Sequence, residues 1–226
     1  MVDRPILFSA PMVRALLAGT KTQTRRVLKP QPKTFLVDGR ECDVAAVQVE
    51  GEPVPRIATG RVLTAQKVRF AIGDRLWVKE TWTVGGVYTD VIETRYRAHE
   101  RASHTEFVER IPVDRVGKLT RARWPKYASP LYMPRWASRL TLIVTDVRVE
   151  RLQDISEADA RAEGCAPLLV DGFVECGRRK TVYRSLWDSI NGAGAWDKNP
   201  WVVAVSFEVV PGNIDCPSVA DRHPPP

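Results

Sequence analysis

Apolar and polar positions alternate most regularly between Trp136 and Glu150, where Leu140, Leu142, Val144 and the later Val147 and Val149 stand among polar neighbours. That period of two predicts a strand. A second apolar block, Trp201 to Val209, predicts another near the C-terminal end. At the start of the chain Ile6 to Phe8 reads as a short strand, and Ser9 as the cap of a helix that tolerates Pro11 in its first turn. Met12, Ala15, Leu16 and Leu17 form its apolar stripe, and Gly19 ends it. Val62 to Phe70 leads to a Gly73-Asp74 turn and a strand over Arg75 to Thr83. Ser156, with Asp159 three positions on, predicts a capped helix ending near Gly164. An aromatic-rich helix over Thr181 to Ile190 precedes a glycine-bearing loop, Asn191 to Trp196.

Between these blocks the pattern weakens. Residues 31–60 carry Pro32, Pro53 and Pro55 and read as an excursion with one short strand. Residues 85–118 read as a hairpin followed by a variable loop, and residues 211–226 as a proline-rich, frayed tail. Many strands with few helices predict an α+β chain whose mixed sheet curls into a partial barrel. Residues 1–210 are expected to form one domain with two insertions.

Composition narrows the function classes. A chain of 226 residues can bury a substantial core. It has no run of eighteen apolar residues and no basic-then-apolar leader, so a cytoplasmic protein without a membrane partner is expected. Cys42, Cys165, Cys176 and Cys216 are widely spaced, and His99, His104 and His223 are too few and too scattered for a zinc site. No metal and no cofactor are expected. The net charge of +7 favours polyanions without fixing a site.

The segment after the first helix carries the chemistry: Gly19, Lys21, Thr24 and Arg26. It resembles the ASCH family of the PUA-like superfold, whose hallmark is Gly-x-Lys-x-x-(Glu or Thr)-x-Arg at this place. Further similarity lies in Gly73-Asp74-Arg75-Leu76-Trp77-Val78, in the helix bearing Asp159, Ala160, Glu163 and Gly164, and in the closing strand Val202 to Val210. The Trp-Val-Lys-Glu-Thr-Trp, Met-Pro-Arg-Trp and Asn-Pro-Trp-Val segments are similar to larger phage and bacterial members. The resemblance implies a PUA-like mixed β-barrel with flanking helices. It also implies one of two activities. One branch of the family removes the acetyl group from N4-acetylcytidine and has threonine at the position of Thr24; other members bind RNA.

Under the first activity the resemblance gives Thr24 as nucleophile or water-positioning group, Lys21 as its assistant and Glu163 as proton carrier. Physical chemistry constrains Lys21. An amine with an ordinary pKa near 10.4 is almost wholly cationic at neutral pH, and acting as a base requires a depression of roughly three units. A cationic Lys21 that polarises the acyl carbonyl requires none, so the oxyanion role is the favoured expectation.

A regular strand would put Thr22, Thr24 and Arg26 on one face and Lys21, Gln23 and Arg25 on the other. Lys21 and Thr24 then converge only through a turn or a bulge. Arg26 is the expected substrate contact and Arg25 a surface residue. Glu80 falls on the apolar side of its strand and needs a partner, whether Lys21, Arg26 or Arg139. Glu80, Trp82 and Arg135 complete the candidate substrate-binding set: the carboxylate for a base edge, the indole for stacking, and the Met133-Pro134-Arg135-Trp136 segment for one wall.

Arg121, Arg123, Lys126, Arg135 and Arg139 interleave with Trp124, Tyr127, Tyr132 and Trp136, a mixture suited to single-stranded nucleic acid. Two functions therefore stand side by side. One is an N4-acylcytidine amidohydrolase acting on a modified nucleoside or nucleotide; the other is a non-catalytic RNA- or DNA-binding module.

Overall fold

A computed structural model of the chain describes residues 1–29, 31, 34–37, 40–43, 45–49, 63–99, 108–116, 126–166, 168–170, 173–175 and 179–216. Arg121, Arg123, Trp124, His104, His223, Cys176, the three prolines of 31–60 and the end of the tail lie outside the described residues. Chain order begins β1 (Asp3–Leu7), α1 (Ala10–Leu17), β2 (Gln23–Val27), β3 (Thr34–Val37), β4 (Arg40–Asp43), β5 (Ala45–Val49) and β6 (Leu63–Val68). It continues β7 (Arg75–Lys79), β8 (Trp82–Val87), β9 (Val91–Tyr96), β10 (Val108–Pro112), β11 (Leu140–Arg151) and α2 (Glu157–Ala162). Last come β12 (Leu168–Val170), β13 (Phe173–Glu175), α3 (Arg179–Asn191) and β14 (Trp201–Pro211). The class is α+β. Among the described residues the ladders do not close into a barrel.

The chain divides into two compact units. The first comprises residues 1–19, 74–143 and 208–226. In it β1 runs parallel to β7, with Ile6 opposite Val78, and β7 runs antiparallel to the start of β11, with Leu76 opposite Leu142. All four of these side chains are buried, as the apolar alternation requires. β8, β9 and β10 make an antiparallel ribbon over a core of Trp82, Val84, Ile92, Tyr96, Met133 and Ala137.

The single strand expected over Arg75 to Thr83 is broken at Glu80 and Thr81, where β7 ends and β8 begins. Helix α1 starts after Ser9 as expected, but the serine side chain makes no capping bond. Its buried face is Val13 and Leu16, while Leu17 is exposed; the expected stripe is rotated. Gly19 takes a φ of +68°, a conformation that glycine adopts without strain. Beyond β14, Asn213 donates to the carbonyls of Arg135, Trp136 and Ser138, and Ile214 is buried.

The second unit comprises residues 20–73 and 144–207. β2 runs antiparallel to β14, with Thr24 opposite Val205 and Arg26 opposite Val203. Where one short strand was expected in residues 31–60, β3 and β4 form an antiparallel pair and β5 pairs in parallel with β6. The core gathers Leu152, Ile155, Ala160, Tyr183, Trp187 and Trp196. Ser156 and Asp159 form a complete capping box at the start of α2, which satisfies two of the helix's orphan donors. This short helix ends on Glu163, and Gly164 follows with a φ of +88°.

Candidate active site

Lys21 and Glu163 meet through both backbone and side chain. The two residues form an isolated antiparallel bridge, and Thr22 N–H donates to the Ala162 carbonyl at 2.8 Å. Lys21 therefore sits just before β2, docked on the C-terminal end of α2. Its Nζ donates to Glu163 Oε2 at 2.6 Å, to the Glu163 carbonyl at 2.9 Å and to the Gln23 carbonyl at 2.8 Å. Those three acceptors match the three donors of an ammonium. Lys21 has no exposed surface and Glu163 only 4%. Burial pushes the Lys21 amine below its ordinary pKa, and the Glu163 carboxylate opposes that displacement; Arg26 adds to it.

Arg25 is the principal departure from the sequence reading. It is 3% exposed rather than a surface residue, and it reaches three carboxylates. Its Nη2 lies 2.6 Å from Glu150 Oε1 and 3.4 Å from Asp159 Oδ2, and its Nη1 lies 3.4 Å from Glu163 Oε1. Gln23 Oε1 accepts from Arg25 Nη1 at 2.5 Å, and Gln23 Nε2 donates to Ser206. Arg148 extends the network, donating to Asp159 at 2.8 Å. Burial alone would raise the Asp159 carboxyl, but the bonds from Arg148 and Ser156 and the charges of Arg25 and Arg148 hold it at about 2. The result is a cluster of alternating charge, buried at Lys21, Arg25 and Glu163 and partly exposed at Arg148, Glu150 and Asp159, in which each carboxylate has a cation beside it.

Tyr183 Oη donates to Glu163 Oε1 at 3.4 Å, and burial followed by the Glu163 charge pushes its pKa up. Burial and Glu163 also raise the Cys165 thiol, to about 11. Both side chains are therefore neutral walls around the ion pair.

Thr24 is 2% exposed and alternates with Gln23 and Arg25 along β2. Strand phase gives Lys21, Gln23 and Arg25 to the Glu163 side and turns Thr24 the other way. Arg26 is half-buried; burial lowers its pKa, while the charge of Glu163 raises it.

Glu80, Trp82 and Arg135 belong to the first unit and have partners there. Of the three candidate cations for Glu80, Arg139 is the one that grips it, with Nε at 2.8 Å and Nη2 at 3.0 Å. Arg139 also contacts His99 and lies over the Tyr96 ring. Trp82 has no exposed surface and packs edge-on against Trp136, so its faces are occupied by core. Arg135 bonds Asp215 and Asp3, with closest distances of 2.6 and 2.5 Å. Met133 is buried and its Sδ accepts from the Glu80 N–H.

Four residues of the charged cluster escaped the sequence reading: Arg148, Glu150, Tyr183 and Arg25 in its buried role. The only signal for them was the strand phase itself, which groups Arg25 with Lys21. Among the described residues no group of three or more His, Cys, Asp or Glu side chains is placed to hold a metal ion, and no helix is long and apolar enough to cross a membrane. No family model matches the chain, and no curated protein or solved structure matches it either.

Proposed function

We propose that the chain is an ASCH-type module on a PUA-like scaffold that hydrolyses the N4-acyl amide of cytidine or a related modified nucleoside in the cytoplasm. The observation that carries this reading is the Lys21–Glu163 contact, a lysine and a carboxylate joined at 2.6 Å inside the second unit. Amide hydrolysis needs a proton carrier and a cation for the oxyanion, and this pair supplies both in a low-dielectric setting where each acts strongly.

In the proposed sequence Thr24, which faces away from Glu163 in the resting strand, turns toward the pair as the acyl group enters; its Oγ then attacks the acyl carbonyl carbon, and its proton passes to Glu163. Lys21 and Arg26 balance the oxyanion. The C–N4 bond then breaks as Glu163 returns the proton to N4, and cytidine leaves. Water hydrolyses the acyl-threonine ester, giving the free carboxylic acid and restoring the hydroxyl. Lys21, Thr24 and Glu163 are all buried. Covering residues are therefore displaced before the acyl group reaches Thr24.

Chromatography of N4-acetylcytidine incubated with the protein tests the proposal, with Thr24→Ala, Lys21→Ala and Lys21→Arg in parallel. Release of cytidine, abolished in both alanine variants, is the expected result. Activity in Lys21→Arg would exclude a base role for Lys21 and leave the oxyanion role. A folded protein that releases no cytidine overturns the hydrolase and favours the RNA- or DNA-binding alternative. Salt-sensitive retention of a single-stranded oligonucleotide would then be its mark.

A further inference from the structure

The first unit contains a pocket of about 780 Å³, within the range of small-molecule sites. Its lining includes none of Lys21, Thr24, Arg26 and Glu163, all of which belong to the second unit. One part of its wall is apolar, with Ile111, Pro112, Trp136 and Leu140. The charged part carries three arginines, Arg110, Arg115 and Arg139, against one carboxylate, Asp215.

The wall's polar groups differ in what they have left to give. Arg139 is taken by Glu80 and His99, and Asp215 by Arg135. Asn213 spends its amide on three carbonyls, and its oxygen accepts from Asp215 N–H. Ser138 Oγ is directed at the carbonyls of Val78 and Leu140. Arg110 and Arg115 stand apart. Among the described residues Arg110 makes one long contact, 3.4 Å to Glu93, and Arg115 one of 3.5 Å to Cys216 Sγ. Each guanidinium has five donors. The two residues flank Ile111 and Pro112, so cations with donors to spare, Arg110 in one long ion pair with Glu93, border the apolar wall.

We propose that this pocket binds a flat-ringed organic phosphate of nucleotide size, the phosphate held by Arg110 and Arg115 and the ring lying on Ile111, Pro112 and Trp136. Two guanidiniums suit a phosphate, which accepts paired N–H donors. The side-chain amide and hydroxyl that might read a base edge are already spent. The ring is therefore held by its faces, and different bases bind alike. This inference is independent of the hydrolase reading.

Calorimetric titration with AMP, CMP, phenyl phosphate, adenosine and inorganic phosphate tests it. AMP and CMP are expected to bind within about threefold of each other, and adenosine and inorganic phosphate each at least about tenfold more weakly, the scale of one lost charge-assisted contact. Arg110→Ala and Arg115→Ala, both exposed positions, should each weaken AMP about tenfold, while Arg184→Ala, at an exposed arginine of the second unit, leaves it unchanged. Cys216 lines the pocket, so AMP should also slow its alkylation, read by peptide mapping. Stronger binding of phenyl phosphate than of AMP would confirm the phosphate and ring but reject nucleotide size. The proposal is overturned if neither AMP nor CMP binds at millimolar concentration, or if binding survives loss of both arginines. Loss of AMP binding in Arg184→Ala would also overturn it, placing the ligand elsewhere.

Discussion

Lys21 Nζ lies 2.6 Å from Glu163 Oε2 although the two residues are 142 positions apart in the chain. Both side chains are buried, and the pair at 2.6 Å is the shortest ionic contact either makes among the described residues, Arg25 standing 3.4 Å from Glu163. A buried pair of this kind adds little net stability over an apolar pair of the same shape, because both ions lose hydration. Removing one partner is a different matter, since it strands the other.

Glu163→Gln should therefore destabilise the fold by about 3–5 kcal/mol, and Lys21→Met by a similar amount. The double variant Lys21→Met/Glu163→Leu should lose clearly less than the sum of the singles. Urea midpoints of the four proteins check this. Additive losses would mean that the two charges do not depend on each other.

Stability should fall as pH drops from about 6.5 to 4 because of His99. Burial, then the charges of Arg139 and Arg14, lower its pKa from 6.5 to about 4. Between these values the unfolded chain takes up a proton that the folded chain refuses, so acid favours unfolding, and the effect levels off below pH 4. His99→Gln should flatten this part of the profile. Unfolding midpoints at pH 7.5 and pH 4.5 measure it, and parallel profiles would reject the assignment.

Ser156→Ala should cost about 1 kcal/mol, since it breaks the capping box of α2. Ser156→Gly should cost less, because glycine is tolerated at an N-cap. Thermal or urea unfolding distinguishes the two. An unchanged midpoint in Ser156→Ala would mean that the hydroxyl contributes nothing through the cap.

Cys165 and Cys216 should differ in reactivity. Cys165 is 6% exposed with its thiol pushed up to about 11, so it presents little thiolate at neutral pH. Native protein at pH 7.5 should be alkylated at Cys216 well before Cys165, which reacts only on unfolding. Peptide mapping after timed maleimide treatment reads this directly.

Local signals in the sequence carried well. The α+β class followed from many strand-like blocks against few helices, the clearest being the alternation around Leu140 to Val149, and the start of α2 from Ser156 and Asp159, because capping and strand period are properties of neighbouring residues. Long-range features carried less. Arg25 reads as solvent-facing within a run of basic and hydroxyl residues, yet it is buried because Glu150, Asp159 and Glu163 come to it from β11 and α2. No local pattern announces partners more than a hundred positions away. The break at Glu80 was hidden for a related reason. Leu76, Val78, Glu80 and Trp82 are all buried, which keeps the period of a single strand across an interruption of the ladder.

The backbone clasp between Lys21 and Glu163 also bears on the order of assembly. It closes a loop of 142 positions, and contacts of such separation form late because the chain entropy must be lost before they return anything. Neither ion can enter the interior alone, so the start of β2 and the end of α2 go under together. Substitutions at this junction should then mainly speed unfolding and leave the refolding rate nearly unchanged, the kinetic mark of an interaction absent from the transition state.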